Sequence, residues 1–167
     1  MTIRSRVPRE AILRAGPVGS GPAVVADDVQ NARITGLRIA GEKDMPLSAG
    51  ILLINSPVDV EDVEISGAGV GIEIRGAASP LLRANAIHDC IGEGILISGT
   101  AAPWLSHNSL QRNAKAGVAA HDGARPRLVG NVFEKNPVDL GPDADMSAVR
   151  EMNFFLETKP ARGAGKK

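Results

Sequence analysis

The chain has 167 residues, 43% hydrophobic and 23% charged, which suits one domain with a real core, and its 19 acids balance its 19 bases. That balance removes any chain-wide attraction for nucleic acid or an anionic membrane. A lone cysteine, Cys90, excludes an internal disulfide. No apolar run is long enough to span a bilayer, and the first eight residues lack the apolar stretch of a secretion signal. As written the chain therefore reads as cytoplasmic, or as part of something longer.

In chain order, Thr2-Ile3-Arg4-Ser5 and Ala11-Ile12-Leu13 read as the second and third strands of a turn whose first strand lies outside this sequence. A loose turn follows over residues 22–41, and then a strict repeat begins. Pro57, Pro80, Pro103 and Pro126 are spaced by 23 residues, as are Asn85, Asn108 and Asn131, and Gly71, Gly94 and Gly117. A fixed period of this length marks a stacked-repeat architecture. Within each repeat the apolar residues alternate, which is the strand period. Ile51/Leu53, Ile72/Ile74, Ile95/Ile97 and Val118/Ala120 give one inward strand per turn. Ile34, Val60, Leu82, Leu105 and Leu128 form a second inward column, and Ile39, Ile65, Ile87, Leu110 and Phe133 a third. Three short strands per turn, stacked at roughly 4.8 Å, predict an all-β fold, a parallel β-helix of about five turns over residues 1–140. Columns of like aliphatic residues also explain the 2% aromatic content.

Beyond Gly141-Pro142, Met146, Val149, Met152, Asn153 and Leu156 recur at helical spacing, with Asp145 as N-cap. A helix over 141–158 is expected to close the apolar end of the stack. Residues 159–167 read as a basic, disordered tail.

The segments GIEIRGAASPLLRANAIHDC and GILISGTAAPWLSHNSLQRN resemble the right-handed parallel β-helix repeats of the pectate-lyase-like superfamily, which includes carbohydrate-binding and sugar-hydrolysis types. The resemblance covers residues 1–140 or so, and implies a right-handed coil with Asn85, Asn108 and Asn131 stacked at the corner between second and third strands. It also implies that any active site would lie along the first strand, where enzymes of the superfamily act on acidic polysaccharides as lyases, hydrolases or epimerases. Many members are non-catalytic, and the fold alone does not choose.

Two outward columns follow from the first-strand spacing. One reads Val24, Leu52, Glu73, Leu96 and Ala119; the other reads Ala26, Ile54, Arg75, Ser98 and His121, with Asp122 just after. Glycoside hydrolysis needs two opposed carboxylates. Glu73 and Asp122 stand nearly two turns apart, roughly 10 Å, and no cluster of aspartates accompanies Arg75 as a calcium-assisted lyase would need. Glu73, Arg75, Ser98, His121 and Asp122 are thus the catalytic candidates, with a solvated polar patch as the plainer reading. Val24, Leu52, Ile54 and Leu96 would expose an apolar strip, which favours a contact surface. His88, His107 and His121 fall in different columns and Cys90 stands alone, so neither metal nor cofactor is expected. The residues favour a non-catalytic binding or scaffold module with a protein partner or self-association. A carbohydrate-active enzyme or sugar-binding module, and a self-associating structural stack, are the alternatives.

Overall fold

The computed structural model describes residues 1–14, 21–42, 44, 46–141 and 152–156. The described residues form nineteen strands, β1 to β19 in chain order, in three parallel sheets. Sheet A holds β1 (Thr2–Arg4), β4 (Arg33–Thr35), β7 (Asp59–Glu61), β10 (Leu81–Arg83), β13 (Trp104–Ser106) and β16 (Arg127–Val129). Sheet B holds β2 (Ile12–Arg14), β5 (Arg38–Ala40), β8 (Glu64–Ser66), β11 (Ala86–His88), β14 (Ser109–Gln111), β17 (Val132–Glu134) and β19 (Phe154–Leu156). Sheet C holds β3 (Val24–Asp27), β6 (Ala49–Ile54), β9 (Val70–Arg75), β12 (Ile95–Ile97), β15 (Ala116–Ala120) and β18 (Val138–Leu140). The chain visits C, A and B in rotation, so every strand pairs with its counterparts one turn away. The result is a parallel β-helix of about six turns.

Its interior is the set of columns that the alternation demands. Ile51, Leu53, Ile72, Ile74, Ile95, Ile97 and Val118 of sheet C are fully buried, as are Val60, Leu82 and Leu105 of sheet A and Ile39, Ile65, Ile87, Leu110 and Phe133 of sheet B. Burying one such side chain contributes about 1.5–3 kcal/mol, so a short three-residue strand is held mainly by the residue it turns inward. The glycine column sets how closely sheets B and C meet. A Cβ on Gly50 would lie 2.6 Å from Ile65 Cγ2 and 2.7 Å from the Gly71 carbonyl oxygen. The next turn's backbone occupies the space a side chain would need.

Most corners bend through a residue in the left-handed region. Between sheets A and B these include Arg9, Gly36, Asp62, Ala84, His107 and Gly130; between B and C they include Gly67, Asp89, Arg112 and Lys135.

The C-terminal end departs from the helical expectation. Phe154–Leu156 is a strand that pairs in parallel with Val132–Glu134, and Phe155 stacks on Phe133 with ring centroids 5.0 Å apart. The Met152/Leu156 spacing fits a helix, but a ring placed over the last buried column and a sheet edge to pair with favour extended backbone. The β-helix thus runs past 140. The rest of the expected helix, at 142–151 and 157–158, and the basic tail at 159–167 lie outside the described residues.

Candidate functional site

The flank of sheet C is built by the outward residues of its strands. Register places Val25, Leu52, Glu73, Leu96 and Ala119 in one column, and the second runs Asp27, Ile54, Arg75 and on to Ser98 and His121 just past their strands. Eight of the ten residues expected there from sequence are in place, all but Val24 and Ala26. The first turn is shifted by one: Val24 pairs with Ile51 and Ala26 with Leu53, so both point inward, and Val24 packs on the core while Val25 is 55% exposed. Val24 therefore leaves the outward strip and Val25 takes its position. The loose first turn offers no glycine or proline in register with the later ones, so the residues alone left its phase unfixed.

Glu73 and Arg75 stand two apart on one strand and so share a face. Arg75 Nε donates to Glu73 Oε1 at 2.7 Å, and its Nη2 lies 2.6 Å from the same oxygen. The carboxylate, mostly buried on this flank, is held by a guanidinium that must stay charged to hold it. Arg75 in that pairing is not a base, and Glu73 is not free to act as acid or nucleophile without breaking it. Asp122 is exposed on a corner with φ 59°, followed by Gly123 at φ 88°, one corner beyond the strand of Ala119. His121 is half-buried, and its backbone carbonyl accepts from Ala124 N at 3.1 Å. Glu73 and Asp122 belong to β9 and to the corner after β15, with β12 between them, and the structure does not bring them together as a carboxylate pair. Leu52, Ile54 and Leu96 surround the ion pair and are half-buried by their neighbours along the sheet.

The asparagine ladder is present and longer than the spacing foretold. Asn85, Asn108 and Asn131 are buried, and Asn153 continues them. Asn108 Oδ1 accepts from Asn85 N at 3.1 Å and Asn85 Nδ2 at 2.9 Å; Asn108 Nδ2 donates to Leu82 O and to Asn131 Oδ1, both at 2.9 Å. Asn131 repeats the pattern onto Asn153. A second ladder stands at the corner between sheets B and C. Cys90 N donates to Asn113 Oδ1, and Asn113 N and Nδ2 donate to Asn136 Oδ1. Residues 90, 113 and 136 also keep the 23-residue spacing, a signal the sequence carried. Cys90 is a buried member of this column, and burial pushes its thiol up to about 12, which keeps it protonated and unreactive.

Sheet B carries an ion network on its outer face. Glu64 takes Arg38 at 3.1 Å and His88 at 3.7 Å, while Arg112 grips Asp89 with two bonds of 2.8 Å. The Arg112 guanidinium, helped by His88, holds the Asp89 carboxyl down at about 2. Among the described residues no three His, Cys, Asp or Glu side chains gather as metal ligands. Sheet A presents Trp104, 53% exposed, between Leu81 and Arg127 in its column. The outward columns read from the sequence belong to sheet C and do not include it.

A family profile described as a right handed beta helix region matches residues 20–147. The chain belongs to the right-handed β-helix family. The match covers the strict repeat and fixes the hand of the coil; it names no activity. No curated protein and no solved structure matches this chain.

Proposed function

We propose that this β-helix is a non-catalytic binding or scaffold module that meets a protein through the flank of sheet C. The observation that carries this reading is the closed Glu73–Arg75 ion pair with Leu52, Ile54 and Leu96 around it. An acid–base couple used up in its own salt bridge supplies no catalyst, whereas apolar side chains around a satisfied ion pair suit a contact surface. The test joins two measurements. Polygalacturonate incubated with the chain should yield no new reducing or unsaturated ends. Light scattering over a wide concentration range should show self-association that weakens in Leu52→Ser/Leu96→Ser. Turnover that disappears in Glu73→Gln would overturn the reading, and a chain that stays monomeric throughout would remove the flank as a self-contact.

A second reading rests on Trp104. An exposed indole lying on a flat sheet beside Arg83, Ser106 and Arg127 is suited to hold an acidic sugar, ring on ring with cations at its carboxylates. Because Trp104 is the single tryptophan, its fluorescence reports directly on that face. Titration with oligogalacturonate should shift the emission if the sheet binds it, and an unchanged spectrum at saturating sugar would end this reading.

A further inference from the structure

Four aspartates stand at corners in the left-handed region: Asp28, Asp62, Asp89 and Asp122, with φ of 52°, 53°, 55° and 59°. At the first three, the backbone N–H of the next residue is held. Val29 N donates to Ser56 Oγ at 2.9 Å, Val63 N to Asn85 Oδ1 at 3.0 Å, and Cys90 N to Asn113 Oδ1 at 3.2 Å. The ladder asparagines are followed in the same way. Ala86 N donates to Val63 O at 2.9 Å, Ser109 N to Asn85 O at 2.8 Å and Val132 N to Asn108 O at 2.8 Å.

Asp122 differs. It is the single aspartate or asparagine in the sequence that precedes a glycine, and the Gly123 N–H makes no hydrogen bond among the described residues. Both residues are exposed, and no atom lies within 4 Å of where a Cβ on Gly123 would stand. Positive φ at both, with Ala124 N donating to His121 O at 3.1 Å, makes them the centre of a tight turn of type I′.

We propose that Asp122 is a site of spontaneous backbone isomerisation, in which the unbonded Gly123 nitrogen attacks the Asp122 side-chain carboxyl. The N–Cγ bond forms as the bond from Cγ to the hydroxyl oxygen of the protonated carboxyl breaks. That hydroxyl leaves as water with the amide hydrogen, and a five-membered cyclic imide remains. Water then opens the ring. Addition at Cγ restores aspartate. Addition at the main-chain carbonyl breaks its bond to Gly123 N, so that the chain runs through Cβ and Cγ and is one atom longer, with the former main-chain carboxylate as its side group. Glycine brings no side chain to screen the nitrogen, and one hydrogen bond closes the turn that must open for the attack. At Asp28, Asp62 and Asp89 the nitrogen is already committed to an acceptor and carries a valine or cysteine. His121 N is anchored to Ile97 O at 2.9 Å and Arg125 N to Ala101 O at 2.8 Å, so the extra atom is absorbed between these two points and the stack survives. None of this depends on whether the flank of sheet C binds a partner.

The folded chain, kept for weeks at neutral pH in 18O-water and mapped by mass spectrometry with electron-transfer fragmentation, should show isoaspartate and uptake of solvent oxygen at residue 122 and not at residues 28, 62 or 89. Asp122→Asn keeps a side chain that tolerates the left-handed turn and should convert several-fold faster, releasing ammonia in place of water. Asp122→Glu, whose carboxyl would need a six-membered ring, should lose the oxygen uptake at residue 122. Isoaspartate that forms at residue 122 only once the chain is unfolded in guanidinium, or that forms equally at Asp28, Asp62 and Asp89 in the folded chain, would overturn the proposal. So would undiminished oxygen uptake in a folded Asp122→Glu protein. If Asp122→Glu does not fold, the residue-by-residue map of the parent chain decides alone.

Discussion

Replacing Asn108 by Ala probes the ladder at its centre. The side chain takes part in four hydrogen bonds: it accepts from Asn85 N and Asn85 Nδ2, and donates to Leu82 O and Asn131 Oδ1. Asn85 Nδ2 retains Val60 O at 3.0 Å, and Asn131 Oδ1 retains Asn108 N at 2.9 Å. The Asn85 backbone N–H is the group left stranded, since Asn108 Oδ1 is its partner and Asn85 is 1% exposed. A buried unsatisfied donor costs about 1–3 kcal/mol and each of the three further lost bonds about 1 kcal/mol, so a loss of roughly 4–6 kcal/mol is expected. For a chain of this size that lowers the melting temperature by roughly 8–24 °C. Urea denaturation followed by far-UV circular dichroism reads it directly. Asn108→Asp should rank with Asn108→Ala or below it, because a carboxylate keeps the two acceptor bonds and turns its charge on Leu82 O and Asn131 Oδ1. A destabilisation under about 1 kcal/mol for Asn108→Ala would show that the ladder bonds are replaceable by water or by relaxation, and would refute this reasoning.

Other perturbations test other parts of the fold. Gly94→Ala should cost several kcal/mol or abolish folding, since its Cβ would lie 2.7 Å from Gly117 O, 2.8 Å from Asn113 Nδ2 and 2.9 Å from Leu110 Cδ2; a soluble variant with parental melting would contradict the packing. Asp89, held at about 2 against an ordinary 3.8, contributes stability that is complete above pH 3.8 and is lost as pH falls through 2. The pair is exposed, so the term is below about 1 kcal/mol, and the sharper readout is carboxyl NMR: Arg112→Ala should move the Asp89 midpoint up towards 3.8. Cys90, with its thiol at about 12, should resist iodoacetamide at pH 8 in the folded chain and react at the rate of unfolding; immediate labelling without denaturant would refute its burial.

The architecture was legible because the stack repeats itself. A spacing of 23 residues repeated in proline, asparagine and glycine leaves one geometry in which like sits on like, and the inward columns over 51–133 follow from it. Phase was legible only where a marker anchored it. Val24 and Val25 are chemically alike, and which one faces inward is decided by pairing with Ile51 and Leu52 rather than by either residue. At the other end, Met146, Val149 and Met152 suggested a helix, while Asn153, 22 residues after Asn131, carried the competing signal that its ladder bonds honour. Glu73, Arg75, Ser98 and His121 share one flank of sheet C, as the first-strand spacing implied, but the bond that closes Glu73 onto Arg75 is visible only in the structure. The i,i+2 spacing permits that bond without requiring it. The bareness of Trp104 depends on which faces stay uncovered, and no single residue announces that.

The constant register has a consequence for the molecule as a material. Because each turn touches only the turns before and after it, the interior behaves as a one-dimensional lattice with interchangeable sites. Removing residues 71–93 as a block of 23 would bring Val70 to Gly94 and set Val63 against Asn108, restoring every column with one site fewer. Length in this fold is therefore an adjustable integer.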